Sequence, residues 1–201
     1  MKYKKVVIGI DQSYANTGIS IAADGKLKKV TSKQLEHYEN NSEKRGALRI
    51  TLNGLLRSVT PNGEEVICII ERIRLQSKGF LNINYIKSIG ALNSIIVDIC
   101  GEYNVKVYSV DTRCWKAQVI GTSKPMSNKY GVPDEKWPTV KWLLRQGWEE
   151  NLLIPILGRK KVGTFVKSSG ERYMYNNDAA DSAGIAMFGF KGDPLKLLEE
   201  R

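Results

Sequence analysis

The chain has 201 residues, with 31 Lys and Arg against 21 Asp and Glu for a net charge of +10. This length predicts a single domain spanning 1–201 that buries a core without disulfide or metal staples, and the charge favours an anionic partner such as nucleic acid or a lipid surface. Apolar runs such as VVIGI and VICII fall far short of the roughly 18 residues a membrane span needs. MKYKK leads straight into VVIGID with no secretory h-region, so a cytoplasmic protein is expected. Cys68, Cys100 and Cys114 form no CxxC pair and read as reduced thiols. The only histidine, His37, lies among polar neighbours, which disfavours zinc and a Ser-His-Asp site and makes His37 an ordinary surface residue.

In chain order, KKVVIGID (4–11) reads as a buried strand. TGISIAA from Thr17 is a second strand, and Asp24-Gly25 turns into a third, KLKKVTSKQL, completing a meander. Leu48, Leu52, Leu55, Leu56 and Val59 follow a helical period, with Ser42 as its cap and Pro61-Asn62-Gly63 as its stop. VICIIE (66–71) is apolar on both faces and ends on a charge, as a central strand does. A helix is expected from Asn82, with Leu81 and Ile86 forming a staple and Ile86, Ile89, Asn93, Ile96, Val97 and Cys100 facing the core. VKVYSV is a further strand and DTRCWKAQVIG a short helix. GTSKPMSNKYGVPDE is a Gly/Pro/Ser-rich basic loop that carries Lys124, and EKWPTVKWLLRQG a helix with Pro138 in its first turn. GRKKVGTFVKSSGERYMY is expected to form a basic hairpin turning at Ser168 to Gly170. NNDAADSAGIAMFGF is then a final helix capped by Asn176 or Asn177. Strands first, then strands alternating with helices, give an α/β class with a mixed sheet and helices packed on it.

Chemistry concentrates on four carboxylates. Asp11 and Glu71 each end an apolar strand, where a carboxylate faces whatever the strand ends surround. Asp178 and Asp181 are spaced i, i+3 at a helix start, within about 5–6 Å of each other at Cβ. Taken singly, Asp11 reads equally well as a turn former, Glu71 as a half-exposed strand end, and the helix pair as a cap on the dipole. Brought together with no basic residue in their own motifs, they would repel unless divalent cations supplied the missing charge. Hard oxygen ligands suit magnesium or manganese, and two such ions support phosphodiester hydrolysis.

IGIDQSYANTG around Asp11, IIER around Glu71, KAQVIG around Lys116 and NNDAADSAGIA around Asp178 and Asp181 together resemble the RuvC-like Holliday junction resolvases of the RNase H-like superfamily, over residues 6 to about 189. The resemblance implies a five-stranded mixed sheet and a nuclease that resolves branched DNA, with two magnesium ions (manganese substituting) on Asp11, Glu71, Asp178 and Asp181. It also implies catalytic or phosphate-contacting roles for Lys116 and Lys136 and a homodimer cutting a four-way junction symmetrically. The family often places an aromatic wedge three residues after the second acid; here that position is Arg74, and Phe80 is the nearest aromatic, free to stack on a base. Residues 121–135 and 150–175 look like insertions relative to compact bacterial members, which suggests a phage-type relative.

Charge placement points to DNA separately. Arg72, Arg74, Lys78 and Lys87 lie in an acid-free stretch between Glu71 and Asp98, and Arg159, Lys160, Lys161 and Lys167 in another between Pro155 and Glu171. Phosphate contacts are their default use. No small-molecule cofactor is expected. IGIDxxxxxTG also matches the first phosphate loop of actin-like sugar kinases, but those need two such domains. A junction-binding protein without cleavage, and a flap- or hybrid-directed nuclease, remain as alternatives.

Overall fold

The computed structural model describes residues 2–72, 83–155, 165–166 and 170–200. In chain order the elements are β1 (Tyr3–Asp11), β2 (Asn16–Ala23), β3 (Lys26–Gln34), α1 (Asn41–Val59), β4 (Gly63–Glu71), α2 (Ile83–Glu102), β5 (Lys106–Val110) and α3 (Thr112–Trp115). A π-helical turn, Lys116–Ile120, continues α3. There follow α4 (Trp137–Leu144), the single turn α5 (Glu149–Leu152), β6 (Leu153–Pro155), β7 (Phe165–Val166), β8 (Arg172–Tyr175), α6 (Asn177–Lys191) and β9 (Leu198–Glu200).

Asp24 and Gly25 both adopt positive φ, 46° and 77°, as a two-residue hairpin turn requires. The meander β1–β2–β3 is antiparallel, β4 joins β1 in parallel and β5 joins β4 in parallel. The mixed α/β sheet read from the sequence is therefore present, in the order β3-β2-β1-β4-β5-β9. Its sixth strand, β9, lies antiparallel to β5; at three residues, two of them acidic, it is too short to show alternation. The expected basic hairpin is β7–β8, extended by β6 into a second sheet of order β6-β8-β7. Its turn at 168–169 lies outside the described residues.

Two local expectations are corrected. Asn40, not Ser42, caps α1: its extended backbone lets its side chain accept from Glu43 N at 3.0 Å, whereas Ser42 is already inside the first turn. The buried stripe of α2 runs through Ile89, Leu92, Ile96, Ile99 and Cys100, with Asn93 and Val97 only half-buried. The proposed Leu81 staple and Asn82 cap lie outside the described residues.

Both faces of the large sheet are covered, which explains why β1 and β4 are apolar without alternation. Val6, Ile8 and Ile10 pack with Cys68 and Ile70 under α1 and α2. Val7, Ile67 and Ile69 pack with Trp115, Ile185 and Phe188 on the α6 side.

Helix α6 crosses the meander at backbone contact, and two glycines permit it. A Cβ on Gly9 would stand 2.3 Å from Ser182 O, and one on Gly18 would stand 1.9 Å from Asp178 O. Gly18 of the opening motif is thus a packing requirement that lets the acidic end of α6 lie on the sheet, while the Thr17 hydroxyl closes the preceding loop by donating to Ser13 O at 2.7 Å. Gly18→Ala is expected to cost about 1–3 kcal/mol or more, because backbone, not a movable side chain, must give way. Denaturant unfolding measures it, and an unchanged midpoint would contradict the contact.

Candidate active site

The register of the parallel strands brings the first two acids together. Ile10 pairs with Ile70, so Asp11 and Glu71 follow side by side at the carboxyl ends of β1 and β4, the edge where open α/β sheets place their ligands. Gln12 continues that pairing with its side chain: Nε2 donates to Glu71 O at 2.5 Å and Oε1 accepts from Glu71 N at 3.3 Å. The Glu71 carboxylate accepts from Trp115 Nε1 at 3.2 Å. Trp115 is fully buried, with its ring against Gly184 of α6, where a Cβ would meet it at 2.4 Å.

The second pair arrives on α6. Asn176 caps the helix by accepting from Ala179 N at 3.0 Å, as one of the two expected caps. Asn16 Nδ2 lies 3.0 Å from Asn176 Oδ1 and donates to Asp178 Oδ2 at 2.9 Å, so β2 holds the first turn and its acid at once. Asp181, one turn further, is 1% exposed, and its Oδ1 has no hydrogen-bond partner. Capping is therefore done by Asn176, and neither aspartate is consumed by it.

Two lysines enter from outside the acidic motifs. Lys136, just before α4, places Nζ 2.5 Å from Asp181 Oδ2 and 3.7 Å from Asp11 Oδ2. Lys116 Nζ lies 3.7 Å from Asp181 Oδ1 and donates to Glu135 O at 2.9 Å. The acids have no basic residue in their own motifs, but an ammonium from outside them stands between Asp11 and Asp181, and among the described residues no three His, Cys, Asp or Glu side chains are already drawn together as a metal cage. Lys116 is held inside the protein. Its side chain is only 6% exposed, with its ammonium turned onto Glu135 and Asp181.

Electrostatics tie the group together. Burial pushes the Asp11 carboxyl well above its ordinary 3.8; Lys136 opposes this, and Asp181, Glu71 and Asp178 add to it by repulsion. Burial likewise raises Asp178, against Lys136 and the Asn16 hydrogen bond and with Asp181. Burial alone would lower Lys136, but attraction from Asp181, then Asp11, and the bond to Asp181 hold it well above the usual lysine range. Asp11 is thus the acid on which the other three act together by repulsion.

Folding takes up protons at Asp11 and Asp178, since each holds a proton more tightly folded than unfolded. In metal-free protein their contribution makes stability fall as pH rises from near 3.8 through their raised values. Denaturant unfolding in EDTA from about pH 4 to about pH 8 is expected to show a shallower fall for Asp11→Asn than for the wild-type chain. Equal slopes would contradict the burial of Asp11.

The other expected DNA-contacting residues divide simply. Lys124 is exposed in the loop before α4. Arg74, Lys78, Phe80, Arg159, Lys160 and Lys161 lie outside the described residues. Sequence reasoning missed Gln12, Asn16 and Trp115; the first two lie inside the opening motif and the third precedes Lys116, but nothing in their spacing names their partners.

No family model matches the sequence, and no curated protein matches it. Among solved structures, RuvC of Thermus thermophilus superposes with a TM-score of 0.56 over 97% of this chain and 99% of its own, at 18% identity. The fold is RuvC-like. RuvC of the same organism in complex with a Holliday junction substrate gives 0.54 at 18% identity over 90% of each chain. Ydc2, the yeast mitochondrial Holliday junction resolvase, gives 0.54 at 16% identity over 93% of this chain and 78% of its own. The RuvC-like sheet, with α6 laid across its meander, is what gathers Asp11, Glu71, Asp178 and Asp181. No helix among the described residues is long and apolar enough to cross a membrane.

Proposed function

We propose that this protein is a divalent-metal-dependent DNA endonuclease that resolves Holliday junctions and related branched DNA by phosphodiester hydrolysis, acting as a homodimer. The observation that carries the reading is geometric: strand register sets Asp11 beside Glu71, and the Lys136 ammonium joins Asp11 to Asp181, one turn along α6 from Asp178, on a fold shared with resolvases. The basic balance of the chain fits a phosphodiester substrate.

The donor set fits magnesium or manganese. Its oxygens are hard carboxylate ligands, Asp181 Oδ1 is buried without a hydrogen bond, and burial with mutual repulsion raises Asp11. Asp11, Glu71, Asp178 and Asp181 would hold the cations, which when bound supply a Lewis acid that activates water and stabilises the leaving oxygen. The chain's own part is positioning. Gln12 and Trp115 fix Glu71, and Asn16 fixes Asp178. Lys136, 30% exposed on a long stem, is placed to exchange the carboxylates for a substrate phosphate.

Labelled four-way, three-way, flap and RNA–DNA hybrid substrates, each with magnesium and then with EDTA, test the reading. Paired cuts in the four-way junction with magnesium alone are expected. Tight junction binding with no cut under any metal would instead support a binding protein, and preferential cutting of hybrid or flap a different nuclease.

A further inference from the structure

Beside the first turn of α6, a groove of about 510 Å³ runs between β3 and the α5–β6 segment. Both flanking strands are sheet edges, β3 of the large sheet and β6 of the small one. Lys33, Gln34, His37, Tyr38 and Asn151 line it, with Asn176 in its wall. None of the described lining residues is acidic, although the chain carries 21 Asp and Glu, so the groove suits an anion. Lys33 holds its ammonium 5.6 Å from the centroid of the Tyr38 ring, joining a cation to an aromatic surface. Asn151 offers an amide donor and acceptor and Gln34 an amide donor, the Gln34 Oε1 lying 3.2 Å from His37 Nε2, and both residues are exposed. A cation, an aromatic ring and side-chain amides together match the parts of a nucleotide: phosphate, sugar or base face, and base edge.

The groove connects directly to the acidic cluster. Asn176 donates to Ser32 Oγ at 2.6 Å, and its Oδ1 lies 3.0 Å from Asn16 Nδ2, the same amide that holds Asp178. The Asn16 amide thus touches the groove wall at Asn176 and the acidic cluster at Asp178, so the two features are one side chain apart in the fold. We propose that the groove is a subsite for the one or two nucleotides flanking the scissile phosphate, with Lys33 on a phosphate and Gln34 and Asn151 reading a base edge, so that it sets where along a junction the cut falls. The inference rests on the nuclease reading above.

The test uses Lys33→Ala and the double variant Gln34→Ala/Asn151→Ala, all at accessible positions, with thermal melts to establish folding. Junction affinity is measured in EDTA across a salt series, and cut positions are mapped with magnesium on a junction whose crossover migrates through several sequences. Lys33→Ala is expected to bind more weakly and to lower the magnitude of the salt slope by about 0.9, the loss of one phosphate contact. The amide variant is expected to shift the ratio between preferred cut positions, each taken as a fraction of its own total cutting, by about five-fold or more. Wild-type affinity, slope and cut positions in both variants, with the wild-type chain cutting normally, would overturn the subsite while leaving the nuclease standing. That outcome would turn attention to a peptide strand adding to the open β3 edge. A wild-type chain that neither binds nor cuts junctions would overturn both.

Discussion

Asp11→Asn is expected to leave a four-way junction bound and uncut, with cleavage reduced by at least ~100-fold. The amide keeps the shape of the carboxyl at a position only 9% exposed, so packing is unchanged and the effect is one of charge. Altering even groups that merely support metal ligands costs about 10–100-fold in metal affinity or activity, and Asp11 stands at the meeting point of the cluster, sensing Asp181, Glu71 and Asp178. Binding survives because the substitution removes a negative charge that repels phosphate. Stability in EDTA is expected to hold or rise, since burial and repulsion already disfavour the ionised carboxyl. Gel-shift and cleavage assays on one labelled junction separate the two effects, and a normal cutting rate would remove Asp11 from the reaction.

Lys136→Met is expected to move two quantities in opposite directions. The Lys136 ammonium is shared between Asp11 and Asp181, and removing one partner of a buried ion pair strands the other charges. In EDTA the variant is expected to lose about 1–3 kcal/mol, less than the full cost of breaking a buried pair, because Lys136 is partly exposed and the carboxyls can take up a proton. Manganese binding, followed by calorimetry, is expected to tighten by ~10-fold or more, equivalent to about 1.4 kcal/mol, since no ammonium competes for the same oxygens. Lys136 is thus the cluster's internal counter-ion, in exchange with the cation. Unchanged stability and unchanged manganese affinity would contradict that role.

The acids were legible because each breaks a local pattern: Asp11 and Glu71 interrupt apolar strands at their last residue, and Asp178 and Asp181 share a helix face. Their convergence also follows from register and from Gly9 and Gly18, whose missing side chains admit α6. What was not legible arises from long-range pairing. Lys136 stands at the start of the predicted EKWPTVKWLLRQG helix, and only the fold shows that it reaches Asp181 across 45 positions of sequence. Trp115 reads as core, and it is core, yet its one polar atom orients Glu71. Lys116 reads as a helix charge, but it lies in a π-helical turn that carries it inward. Ser42 and Asn40 are equally good caps by residue type, and the backbone conformation of Asn40 decided between them. His37 reads as a surface histidine and is one; only the folded β3 edge places it with Lys33 and Tyr38 in a groove.

The most direct measurement is an anomalous difference map from a crystal of the wild-type protein soaked in manganese. Density is expected between Asp11, Glu71, Asp178 and Asp181, with the Lys136 ammonium displaced from Asp11 and Asp181. Clear carboxylates with no anomalous peak among them at millimolar manganese, and Lys136 still bridging Asp11 and Asp181, would contradict it.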